Sequence, residues 1–153
     1  MREPSPGALP AMPAVLVLED DEAYRTLVAD VLTLAGFEVC TAPNGSRVSA
    51  ILRERPIDLV ITDLAMPRRD GLATLTALRQ THPWLPVIAM SGDLRLNPQL
   101  DFAVKEKLGA GRVFAKPFKM DALIAAARQA LAAANVRTVC AEQGEIAPQA
   151  AVG

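Results

Sequence analysis

The stretch that decides the fold is Asp58-Leu59-Val60-Ile61-Thr62-Asp63. Its four middle residues form an apolar, largely β-branched run of strand length. Continuous apolar character, rather than alternation, calls for burial on both faces, as in central strands of a parallel sheet. The run ends on a carboxylate, which must then sit at the rim of that sheet. The same construction recurs three times. Ala14-Val15-Leu16-Val17-Leu18 is followed by Glu19-Asp20, Val87-Ile88-Ala89-Met90 by Ser91, and Arg112-Val113-Phe114-Ala115 by Lys116-Pro117. In open parallel sheets, ligands bind at the carboxyl ends of the strands. Three carboxylates, a hydroxyl and an ammonium can therefore converge from distant parts of the chain.

Between these runs the pattern is helical. Glu22 to Ala35 carries Tyr24, Leu27, Val28, Val31 and Leu32 at helical spacing, with Asp21 to cap its start and Gly36 to end it. Phe37 to Thr41 reads as a further strand. Gly45 to Arg55 reads as a helix that Pro56 stops, and Gly71 opens another to about Thr81. Asn97-Pro98 starts a helix that runs to Leu108, since proline suits the first helical position. The last helix runs from Lys119 to about Ala134. The expected organisation is a flexible arm over 1–12, one domain over 13–134 and a flexible tail over 135–153. Five βα units in a row predict an α/β fold with a parallel sheet and helices on both faces.

Composition narrows the function. Of 153 residues, 51% are hydrophobic, which excludes disorder of the whole chain. Sixteen basic and 17 acidic residues leave a net charge of −1, with no general pull toward nucleic acid or an anionic membrane. No apolar run reaches membrane-spanning length, and the first residues lack a signal-peptide core. The two cysteines, Cys40 and Cys140, make no disulfide framework, and a reducing cytoplasm fits them best.

The chemistry follows from the residue types. Three carboxylates alone would repel one another. A hard divalent cation such as Mg²⁺ relieves that and prefers oxygen ligands. Glu19, Asp20 and Asp63 would hold it, with the backbone carbonyl of Ala65 as a further ligand. Asp63 is the candidate nucleophile, because a carboxylate can attack a phosphoryl donor to give an acyl phosphate. Lys116 and Ser91 suit the oxygens of the arriving phosphoryl group. Taken singly, each residue has a plainer reading. Glu19-Asp20 before a helix is often a cap with dipole-favoured acids, Ser91 a turn hydroxyl, Lys116 a solvated charge. Their joint placement at one end of one sheet is what outweighs those readings. His82 and Trp84, in a turn beside Pro83, read as a solvated helix end and as packing.

These motifs resemble the receiver domain of two-component response regulators. The residues that carry the resemblance are Val15 to Asp21, Asp58 to Pro67 with Gly71, Ile88 to Ser91, and Phe114 to Phe118. It covers 13 to about 134. The resemblance implies a flavodoxin-like doubly wound (βα)5 fold with strand order 2-1-3-4-5. It implies a histidine kinase or histidine phosphotransfer protein as donor, Asp63 as phosphoacceptor, and Mg²⁺ as cofactor. It suggests structural roles for Pro67 and Gly71 and a cis peptide before Pro117. Ser91 and the residue three before the lysine would form the switch. That residue is ordinarily Tyr or Phe and is Val113 here, while the adjacent Phe114 should face the other side of its strand. By analogy, the helix at 97–108, the fifth strand and the last helix form the contact face.

On this reading the chain is a single-domain signalling module rather than a turnover enzyme, acting through protein contacts or phosphorelay. It is expected to bind neither nucleic acid nor membrane. A phosphorylation-independent binding module is the alternative. An Asp-nucleophile phosphohydrolase is disfavoured, since Glu19-Asp20-Asp21 does not supply the Asp-x-Asp such enzymes use.

Overall fold

A computed structural model describes residues 12–64, 71–92, Gln99, Glu106 and 112–142, the side chains of 71, 72 and 135–142 excepted. Strands β1 (Ala14–Leu18), β2 (Glu38–Ala42), β3 (Leu59–Asp63), β4 (Val87–Ser91) and β5 (Val113–Ala115) form one sheet in the order β2-β1-β3-β4-β5. Every pairing is parallel. The order reverses between β1 and β3, so the crevice for a ligand opens at their carboxyl ends. The doubly wound architecture is the one the strand and helix patterns require.

Residues of β1, β3 and β4 alternate between two cores. Leu16, Leu18, Val60, Val87 and Ala89 pack with Val48, Ile51, Leu75 and Leu78, from helices α2 (Val48–Glu54) and α3 (Gly71–Thr81). Val15, Val17, Leu59, Ile61, Ile88 and Met90 face the other way. They pack with Val28 and Leu32 of helix α1 (Glu22–Leu34), and with Leu123, Ala127 and Ala130 of helix α4 (Met120–Glu142). All ten positions of β3 and β4 are buried. Each large aliphatic side chain so buried contributes about 2 kcal/mol.

Local signals set the boundaries. Asp21 is extended and its carboxylate accepts the Tyr24 N–H at 3.1 Å, fixing the start of α1. Gly36, at φ 104°, carries the chain out of that helix through a conformation that side chains disfavour. Lys116–Pro117 is a cis peptide.

Several boundaries differ from the sequence expectation. Asp63 and Ser91 are the last residues of their strands rather than the first beyond them, because Asp63 lies opposite Met90 and Ser91 opposite Ala115 in the ladders. Strand β2 is displaced by one residue, to Glu38–Ala42. The stretch from Gly45 splits into a 3₁₀ turn, Gly45–Arg47, and α2. The Asn44 side chain accepts the Ser46 N–H at 2.9 Å and tightens that first turn. The last helix continues to Glu142, eight residues past its expected end and into the expected tail. The apolar rhythm fades after Ala134, but no glycine or proline interrupts the chain before Gly144, so the propensity to continue persists. Of the helix expected over 97–108, the described residues are Gln99 and Glu106, both helical. Ala65, Pro67 and residues 143–153 lie outside the described residues.

Candidate phosphoryl and cation site

Strand alternation delivers the charged groups to one side of the sheet. Glu19 continues the parity of Val15 and Val17, Asp63 that of Leu59 and Ile61, and Lys116 that of Phe114. All three therefore emerge on the side covered by α1 and α4. The Glu19 N–H donates to the Ala42 carbonyl at 3.1 Å, so the ladder of β1 and β2 holds its backbone. Lys116 is held the same way, its N–H donating to the Ser91 carbonyl at 3.0 Å. The site is thus anchored to three strand ends, which a rigid sheet positions better than free loops would.

The Lys116 ammonium bridges two carboxylates, with Nζ 2.9 Å from Glu19 Oε1 and 3.3 Å from Asp63 Oδ2. Glu19 Oε2 accepts the Asp21 N–H at 3.1 Å. Glu19 is 1% exposed and Asp63 3%, whereas Asp20 is exposed. One oxygen from each of Glu19, Asp20 and Asp63 lies within 4.8 Å of the others. Burial raises the Glu19 carboxyl to about 7, against the Lys116 hydrogen bond and the Asp21 N–H, with the Asp63 charge adding to the rise. Burial would by itself lower the Lys116 ammonium. The Glu19 hydrogen bond and the Asp63 charge outweigh it and leave that group raised. The ammonium therefore stays charged, and the Glu19 carboxyl holds a proton more readily than an ordinary glutamate.

The donor set suits a hard cation. It is all oxygen, it clusters three acids, and the lysine offsets the charge of two of them. Glu19, Asp20 and Asp63 are brought together as expected. The Ala65 carbonyl, the further ligand expected, lies outside the described residues. Gly71 opens α3 as expected. Ser91 is fully buried at the end of β4, beside β5. Val113 and Phe114 face opposite sides of β5: Val113 packs against the core that contains Leu16 and Val60, Phe114 against the one that contains Val17 and Ile61.

Two residues of α1 that no motif marks also belong to this site. Lys116 Nζ lies 4.2 Å from the centroid of the Tyr24 ring, and the Arg25 guanidinium donates to the Glu19 carbonyl at 2.9 Å. Tyr24 in turn meets Phe118 edge-on at 6.4 Å, and Phe118 lies 5.2 Å from Phe114. The periodicity of α1 reads Tyr24 as a core position. The available signal was its place in the first turn after Asp21, directly above the acidic pair.

Comparison with known proteins agrees with this geometry. The family model of the response regulator receiver domain matches residues 15–128. The DNA-binding transcriptional regulator NtrC of Salmonella typhimurium is 36% identical over 118 residues, which are 76% of this chain and 24% of that protein. CpxR of Escherichia coli K12 is 35% identical over 120 residues, 78% of this chain and 50% of that one. The chain thus spans about a quarter to a half of these curated relatives. Among solved structures, the chemotaxis protein CheY4 of Vibrio cholerae superimposes with a TM-score of 0.69 at 27% identity, covering 79% of this chain and all of that one. NtrX of Brucella abortus gives a TM-score of 0.73 at 31% identity, covering 85% of this chain and 29% of that one.

Proposed function

The chain belongs to the response regulator receiver domain family of two-component signalling, and from that premise we propose that it takes a phosphoryl group onto Asp63 and signals by that modification. The observation that carries this is the Lys116 ammonium bridging Glu19 and Asp63 at the carboxyl end of the sheet. A phosphoryl group bound to Asp63 would bring new anionic oxygens within reach of that ammonium.

The donor is the phosphohistidine of a histidine kinase or histidine phosphotransfer protein. An Asp63 carboxylate oxygen attacks phosphorus, forming an O–P bond. The N–P bond of the donor breaks, its electron pair stays on the imidazole, and that nitrogen takes a proton. Glu19, Asp20 and Asp63 would hold Mg²⁺, with the Ala65 carbonyl as a further ligand. Bound there, the ion would supply positive charge to offset that of the acids and of the phosphoryl oxygens. Lys116 shifts from the carboxylates to a phosphoryl oxygen, and the Ser91 hydroxyl donates to another. No strong base is needed, because phosphoryl transfer is mostly positioning and charge stabilisation. With Val113 in place of an aromatic residue, the output of Ser91 movement travels by a route other than the usual ring rotation. Among the described residues no helix is long and apolar enough to cross a membrane. The module is proposed to work in the cytoplasm and to contact its targets as a protein partner.

Intact-mass analysis after incubation with a small phosphodonor and Mg²⁺ tests the reading, with Asp63→Asn and metal-free controls. One added phosphoryl group, lost in both controls, is the expected result. A chain that gains no mass from either a small donor or a phosphorylated histidine phosphotransfer protein would instead act by phosphorylation-independent binding.

A further inference from the structure

We infer that Tyr24 is a positioning residue for phosphoryl transfer: the face of its ring keeps the Lys116 ammonium beside Asp63 while the two carboxylates turn to other partners. The inference rests on the phosphoacceptor reading above.

Among the described residues, Lys116 Nζ lies against Glu19 Oε1 at 2.9 Å, Asp63 Oδ2 at 3.3 Å and the Tyr24 ring centroid at 4.2 Å. Two of these are the acids that a divalent cation would claim. A cation held by these acids would repel the ammonium and compete for the same oxygens. The ring face is the neighbour that gives up nothing to a metal. Its quadrupole attracts the ammonium, and more strongly where water is partly excluded. Lys116 is 22% exposed at its side chain, so the contact is partly desolvated.

The ring is also held in place. Asp21 caps the Tyr24 N–H, fixing the first turn of α1, and Phe118 meets the ring edge-on at 6.4 Å with an interplanar angle of 87°. Phe118 follows the Lys116–Pro117 pair, so the loop that carries the lysine also carries the ring's support. Without the aromatic face, an ammonium displaced from the carboxylates would turn to water, and each phosphoryl transfer would have to recover it.

The test is the initial rate of acyl-phosphate formation on the full chain with phosphoramidate and Mg²⁺, followed by intact mass. Tyr24→Phe keeps the ring face and should stay within about two-fold of the parent, whereas Tyr24→Leu should fall by about two- to five-fold. Because Tyr24→Leu also disturbs the contact with Phe118, a second series isolates the ring's electronics. Phenylalanine carrying one, two or three ring fluorines is placed at 24, which keeps the shape and weakens the quadrupole stepwise. A logarithmic rate that falls with each fluorine supports the inference; a flat series overturns it. Failure of the parent chain to gain a phosphoryl group overturns the phosphoacceptor reading and this inference with it. A phosphorylated parent with a flat series overturns this inference alone.

Discussion

The two ends of the sheet use charge in opposite ways. At the amino end, ionic groups are answered by the backbone. An Asp58 carboxylate oxygen accepts the Ala14 N–H at 2.8 Å, while the Asp58 N–H donates to the Ala14 carbonyl at 2.8 Å. The Arg79 guanidinium donates to the Leu85 carbonyl. At the carboxyl end, charges are held against each other, with Lys116 between Glu19 and Asp63 and Asp20 close by. A charge satisfied by a main-chain dipole locks a loop and has nothing left to exchange. Charges that satisfy one another can trade partners when a cation or a phosphoryl group arrives. The first arrangement is scaffolding and the second is chemistry.

The largest effect should come from Asp63→Asn, which removes the nucleophile. Acyl-phosphate formation should disappear by intact mass, while Asp58→Asn at the other end leaves it at parent level. Equal loss in both variants would break the comparison. Lys116→Ala comes next. It removes the ammonium that lies between buried Glu19 and Asp63, and metal-free stability should fall by about 2 kcal/mol in urea unfolding, less than for a fully buried pair because the lysine is partly exposed. Saturating Mg²⁺ should restore most of that loss.

The dependence on pH and metal is smaller and graded. The Glu19 carboxyl sits near 7 in the folded chain against 4.5 ordinarily, so the folded state binds its proton more tightly. The contribution of Glu19 to metal-free stability is therefore fully present below about 4.5 and is lost as pH rises to about 7. Mg²⁺ should reverse that trend, adding about 1.4 kcal/mol for each tenfold excess over its Kd, with an affinity that rises as Glu19 ionises. Urea midpoints across pH 5 to 8, with and without Mg²⁺, measure both slopes. The smallest effect belongs to the amino end. Asp58→Ala should cost at most about 1 kcal/mol, because the lost bond to the Ala14 N–H is exposed and water can replace it, with the same Mg²⁺ response as the parent chain.

Much of this was legible in the residues themselves. Ala14–Leu18 and Leu59–Thr62 announce buried parallel strands because an unbroken apolar run has no other stable place. The groups that follow them announce a site because strands of one parallel sheet end on one rim. Other features lay beyond pattern. Tyr24 has the spacing of a core residue, and only the return of the chain at Lys116, 92 positions later, shows what its ring face meets. The helical stretch past Ala134 has no amphipathic rhythm to mark it, and propensity alone extends the helix there.

By itself, then, the sequence determined the elements, their parallel pairing and the end of the sheet where the acids gather. Those follow from local rules of burial and from strand alternation, which act over a few residues. Only the tertiary structure decided that one ammonium spans Glu19 and Asp63, that burial lifts Glu19 to about 7, and that an aromatic face lies against the lysine. Distances between groups far apart in the chain, and the water excluded around them, exist only once the sheet and its two helical layers have closed.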